Sequence, residues 1–152
     1  MAVTYAQMMQ AARSPPSAIA IRIIDHPIES WTRVHDWIEQ ALGHEQALIG
    51  AVDVFNALIN RRMTLWGIYD HDHLCAVFVT QIETGSKGRA LNIIALGGTG
   101  MDDWIESFSA AVTRYARDHQ CRFVFEMGRR GWLRVLDKLG WVDGPATMIK
   151  VL

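Results

Sequence analysis

The sequence predicts an α+β fold, a mixed central sheet flanked by helices. Three β-type runs follow one another between Met63 and Leu96, separated only by the short polar stretches "DHDH" and "TGSKG", as in an antiparallel meander. A long stretch with helical spacing then leads to a further β-type run, "RFVFEMG", and a helix that crosses between strands implies parallel pairing. Half of the 152 residues are hydrophobic, enough for one domain with a sizeable core, while the chain is too short for two comfortable domains.

Taken in order, the chain opens with residues 1–17, which carry "RSPPS"; its two prolines stop any preceding helix, so this stretch is expected to be a separate arm ahead of a domain spanning 18–152. "AIAIRII" reads as the first strand. Pro27 and Ser30 mark the start of a helix whose inner side holds Val34, Ile38, Ala41 and Leu42, and Gly43 ends it. A second helix follows, with Leu48, Ala51, Val52, Phe55, Leu58 and Ile59 at three- and four-residue steps. The meander comes next, as Met63–Tyr69, Leu74–Glu83 and Arg89–Leu96. Trp104, Ile105, Phe108, Val112, Tyr115 and Ala116 form the stripe of the long crossover helix. After the strand in "RFVFEMG", Trp132, Val135, Leu136 and Leu139 line a short helix closed by Gly140, and "TMIKVL" is the terminal strand.

Charge and motifs narrow the function classes. A formal net charge of -1 with interspersed signs gives no overall attraction to nucleic acid or anionic lipid. No run reaches the length of a membrane span, and the N-terminus lacks a basic region followed by an apolar one. Cys75 and Cys121 sit in apolar surroundings and make no disulfide framework, which fits a reducing compartment, so a cytoplasmic location is expected. His71 and His73 in "YDHDHL" have no further ligand pair at metal-site spacing, so a polar hairpin turn is the stronger reading and no metal is expected. There is no Gly-x-Ser-x-Gly elbow, and "GGTG" lacks both the Lys-Ser/Thr of a phosphate-binding P-loop and the dinucleotide spacing.

The most informative stretch is "NIIALGGTGMDDWIESF", where an almost uncharged strand passes through Gly97, Gly98 and Gly100 into a helix. Such a turn either serves packing or places bare amides at a helix N-terminus, where an anion can sit. Together with "LDKLGW", Leu136 to Trp141, and the order β, α, α, β, β, β, α, β, α, β, it resembles the GNAT (Gcn5-related N-acetyltransferase) family, whose members move an acetyl group from acetyl-CoA to an amine. The resemblance covers nearly the whole chain after the arm. It implies a GNAT-like fold, acetyl-CoA as cofactor and an unidentified amine acceptor. In that family the glycine turn holds the CoA pyrophosphate and the preceding strand pairs with the pantetheine arm. Carried over, Asn92, Ile94, Leu96, Gly97, Gly98, Thr99 and Gly100 become the cofactor-binding candidates.

Two positions depart from the family pattern. The Arg or Gln that heads the family's glycine turn is replaced by an apolar residue, and Leu136 stands where a Tyr often protonates the departing thiolate. For the base that takes a proton from the incoming ammonium, Glu126 is the first candidate, since Phe123, Phe125 and Met127 flank it in sequence; Glu83 and Tyr69 on the meander follow. The sequence style also resembles small GNAT-like proteins of tailed bacteriophages. That keeps an alternative open: a catalytically inactive virion or host-interaction protein, with a homo-oligomer or virion assembly as its setting. Most of the six tryptophans fall on apolar stripes and are read as core, with some left to face a partner.

Overall fold

The computed structural model describes residues 18–43, 47–126, 133–143 and 148–152. The expected arm, together with Met127 and Trp132, lies outside the described residues. Seven strands form one sheet in the order β1-β2-β3-β4-β5-β7-β6. They are β1 (Ile19–Ile23), β2 (Thr64–Asp70), β3 (His73–Gly85), β4 (Gly88–Gly98), β5 (Cys121–Glu126), β6 (Val142–Asp143) and β7 (Met148–Val151). Every neighbouring pair is antiparallel except β4 and β5, which the long helix connects and which run parallel.

Helices cover both faces. Helix α1 (Pro27–Leu42) begins with proline at its first turn, where a missing N–H costs nothing, and ends at Gly43. Its Val34, Ile38 and Leu42 are buried, as the spacing predicts. Helix α2 (Ala51–Ile59) starts where Asp53 reaches back to accept a 2.9 Å hydrogen bond from the Gly50 amide. Its inner face is Ala51, Val54, Ala57 and Leu58; Leu48 precedes the helix, and both it and Val52 are exposed, which corrects the expected stripe. These two helices pack on Leu65, Val77, Val79 and Ala95 of one sheet face.

Helix α3 (Met101–Asp118) packs on the opposite face, burying Trp104, Phe108, Val112 and Ala116 against Phe78, Leu91, Ile93 and Val124. Aromatic rings organise this core. Phe78 stacks on Trp66 at 5.2 Å between centroids and meets the edge of Phe108 at 4.9 Å. Trp66 also donates from Nε1 to Thr80 Oγ1 at 3.0 Å, so its one polar atom is satisfied inside the core. Helix α4 (Leu133–Leu136) runs into a single 3-10 turn and stops at Gly140, in the left-handed region at φ 89°. The two-residue strand β6 beside β7 has no counterpart in the sequence reading. No described helix is long and apolar enough to cross a membrane.

Candidate functional site

The site begins past the last described pairing of two parallel strands. β4 and β5 are paired from Arg89 with Cys121 to Ile93 with Glu126, and beyond Ile93 no pairing of β4 with β5 exists among the described residues. On its other side β4 stays paired with β3 to the end, with one irregularity: Val79 faces Ala95 while Thr80 faces Ile93, so Ile94 is an extra residue with no partner. The bulge turns both Ile94 and Ala95 toward the α1/α2 core. Among the described residues, the backbone from Ile94 to Gly98 has no strand on its β5 side, and an unpaired edge of that kind can bond an extended amide-bearing chain. Asn92 lies one step short of it, inside the ladder beside Phe125.

The glycine turn closes one end of this edge, and its three glycines have different reasons. A Cβ on Gly97 would lie 2.7 Å from the Trp37 carbonyl oxygen of α1. A Cβ on Gly98, whose φ is 140°, would lie 2.4 Å from Ala76 Cα and 2.5 Å from the Cys75 oxygen. Both are held by close backbone approach. Gly100, at φ 73°, has only Asp103 Oδ2 within reach of a Cβ, at 3.7 Å, and caps α3. Thr99 is fully engaged: its amide and hydroxyl donate to the Cys75 oxygen at 2.8 and 3.3 Å, and its carbonyl accepts from Trp104 Nε1 at 2.7 Å. The amides of Gly100, Met101 and Asp102 have no acceptor among the described residues and point outward from the start of α3, as first-turn amides do.

These groups fit an elongated ligand with amides along its body and phosphates at its end, as acetyl-CoA has. The carboxylates of Asp102 and Asp103 are exposed in the same first turn and would repel a phosphate there. Leu136, where the resembled family often carries its acid, is buried in the α3-side core and offers no proton.

The three base candidates occupy different places. Glu126 ends β5 in register with Ile93 and, two residues on from Val124, shares its face, so its side chain is buried on the α3 side. Glu83 lies on the opposite face, exposed, and its Oε1 accepts a 3.1 Å hydrogen bond from Asn92 Nδ2, which draws the carboxylate along β4 in the direction of Ile94. Tyr69 belongs to β2, with β3 between it and β4; its ring lies over Gly67 and stacks with the Arg22 guanidinium at 4.2 Å. The structure thus brings Glu83, Asn92 and Ile94 onto one face, puts Glu126 on the other, and keeps Tyr69 apart.

Sequence reasoning missed a cavity of about 570 Å³ on the Glu83 face, floored by Ala90, Phe123 and Phe125. Alternation along β5 was the available signal, since Phe123 and Phe125 share a face opposite Val124. A second cavity, about 510 Å³, sits between β1, the start of α1 and the end of α2, away from β4 and β5. "DHDH" is a two-residue turn with His71 and Asp72 at φ 48° and 66°, and His71 pairs with Asp70 at 2.8 Å.

No protein-family model matches the sequence, and no curated protein matches it significantly. Solved structures do match. A protein of Clostridium acetobutylicum described as a predicted acetyltransferase, with acetyl-CoA, is 13% identical over 84% of this chain and 92% of its own, at a TM-score of 0.61. An acetyltransferase of Bacillus subtilis in complex with CoA is 10% identical over 88% and 99%, at 0.64. A mutant agmatine N-acetyltransferase is 11% identical over 89% and 100%, at 0.62. At such identities the likeness speaks for architecture: the chain has the fold of the GNAT acetyltransferases, a mixed sheet flanked by helices.

Proposed function

We propose that the protein is an N-acetyltransferase that uses acetyl-CoA to acetylate a primary amine. The observation that carries this reading is the bulged stretch of β4 after Ile93, which among the described residues has no partner on its β5 side and leads to the bare amides of α3. Structural relatives described with acetyl-CoA and with CoA support the cofactor. Acetyl-CoA would supply the acetyl group as an activated thioester. The chain's own task is to hold the edges together and manage protons.

In this reading the backbone from Ile94 to Gly98 would hold the acyl carrier, and the amides of Gly100, Met101 and Asp102 would take its phosphates. The amine arrives as an ammonium on the Glu83 face. Glu83, oriented by Asn92, takes one proton; the neutral nitrogen then attacks the thioester carbonyl, the C–N bond forms and the C–S bond breaks. The departing thiolate takes the second nitrogen proton through water, because Leu136 has none to give. Glu126, on the α3 face, is the competing base. An inactive phage structural protein finds no support among these relatives.

The test is a calorimetric titration with acetyl-CoA, followed by thiol release in the presence of amines. Binding is expected to raise the melting temperature through preference for the folded state. No heat and no thermal shift at millimolar acetyl-CoA would overturn the proposal. Between the two bases, Glu83→Gln is expected to lower kcat by about a hundredfold or more with acetyl-CoA affinity intact. If Glu126→Gln alone has that effect, the base lies on the other face.

A further inference from the structure

The cavity on the Glu83 face has an order that reads as a ligand's order. At the end of the cavity nearer Ile94 stands the Glu83 carboxylate, which accepts a hydrogen bond from Asn92 Nδ2 just outside the lining. Beside it lie Phe125, in register with Asn92, and Phe123, which shares the level of Ala90 with Glu83; their rings are 5.9 Å apart and only half-buried. At the far end stand two exposed cations, Lys87 in the β3–β4 turn and Arg122, whose Nη1 donates to the Lys87 carbonyl oxygen at 2.9 Å. One carboxylate near the cleft, an aromatic floor and a cationic far wall line about 570 Å³, within the range of small-molecule sites.

We propose that the acceptor is a primary monoamine carried on a flat aromatic body, seated on Phe123 and Phe125 with its ammonium on Glu83. This rests on the acetyltransferase reading of the same cleft. The rings supply an apolar surface and offset or edge contacts to a flat body, and the carboxylate fixes the charged end toward Ile94. Lys87 and Arg122 set the other half of the specificity. A second ammonium at the far end of the ligand meets like charge there, so diamines and polyamines are rejected, whereas a neutral or anionic tail is accepted.

The experiment uses the full chain with phenethylamine and tryptamine as aromatic monoamines, and putrescine and spermidine as polyamines. Binding of phenethylamine is measured by NMR titration without acetyl-CoA, and thiol release is measured with it. The aromatic monoamines are expected to exceed the polyamines in kcat/KM by at least about tenfold. Phe123→Ala is expected to raise KM for tryptamine by a similar factor without changing acetyl-CoA affinity, and Lys87→Glu to narrow the preference over putrescine. Phe123→Leu keeps an apolar floor should the alanine variant misfold, and it too is expected to weaken tryptamine. Acetyl-CoA binding with polyamines turned over as well as tryptamine, or a tryptamine KM unmoved by either Phe123 variant, overturns the acceptor assignment and leaves acetyl transfer standing. Phenethylamine binding that depends on Phe123, with no acetyl-CoA binding, keeps the pocket and removes the transferase reading.

Discussion

Alanine substitution separates the glycines that hold the fold from the one that faces a ligand. In Gly98→Ala the new methyl would sit 2.4 Å from Ala76 Cα, 2.5 Å from Ala76 Cβ and 2.5 Å from the Cys75 oxygen, where carbon contacts ordinarily begin near ~3.5 Å. None of those atoms is the tip of a flexible side chain, so β3 and β4 must separate. Overpacking of that kind costs about 1–3 kcal/mol. A non-glycine residue at φ 140° adds strain of about 1–3 kcal/mol. The sum, about 2–6 kcal/mol, is a large share of the roughly 5–15 kcal/mol that holds a domain folded. Gly100→Ala meets nothing closer than 3.7 Å and carries only the left-handed penalty at φ 73°, about 1–2 kcal/mol. With a urea slope of about 2 kcal/mol/M, the denaturation midpoint should fall by about 1–3 M for Gly98→Ala and by less than about 1 M for Gly100→Ala. Acetyl-CoA titration of the two variants completes the comparison: Gly100→Ala, folded, should lose affinity because its methyl stands among the outward-facing amides. A Gly98→Ala midpoint within about 0.3 M of the parent would refute the packing argument.

Other perturbations test the remaining elements. Asp102→Asn and Asp103→Asn should each tighten acetyl-CoA binding about two- to fivefold at low salt, fading as salt rises, while removing about 0.3–1 kcal/mol of helix stability; affinity that stays flat or falls would place the phosphates elsewhere. Thr80→Val leaves the buried Trp66 indole N–H without its 3.0 Å acceptor and should destabilise by about 1–3 kcal/mol, read from denaturant midpoints, whereas no change would mean the bond adds nothing. Burial, and after it the charge of Asp70, pushes the Cys75 thiol up, and burial does the same to Cys121 against a smaller opposing effect of Arg89. Both thiols should therefore be less ionised at pH 8.5 than in the urea-unfolded chain and react with iodoacetamide more slowly; equal rates would contradict the burial of Cys121.

What the sequence disclosed follows how periodic each element is. Helix α3 alternates bulky apolar residues with charges, so its inner face could be read residue by residue, and Trp104, Ile105, Phe108, Val112 and Ala116 are all buried. Helix α2 lies in "ALIGAVDVFNALI", where nearly every position is apolar and several phases fit equally well; burial chose Val54 and Ala57 over Leu48 and Val52. The three short turns were legible from their polar and glycine residues. Strand β6 was not, because two residues carry no period.

The candidate site was legible in its backbone and hidden in its faces. Glycines after an uncharged strand mark a turn, but nothing local reveals that Gly97 yields to the Trp37 carbonyl and Gly98 to Ala76, since both partners are distant in sequence. The bulge at Ile94 has the same character: it is a mismatch between two strands, and neither strand carries it alone. It also decides which groups meet. Without the extra residue, Asn92, Ile94 and Gly98 would alternate on one face; with it, Ala95 joins Ile94 toward α1 while Leu96 returns to the α3 core. On the Glu83 face, a carboxylate that sequence ranked second then becomes the one an acceptor on that face would meet. Glu126 was ranked first for its aromatic neighbours, yet in a strand the flanking residues point the opposite way, and its true companions are Val124 and Ile93. Residues two apart along the strand and across the ladder set an environment in a sheet, so the choice between the two carboxylates had to wait for the register.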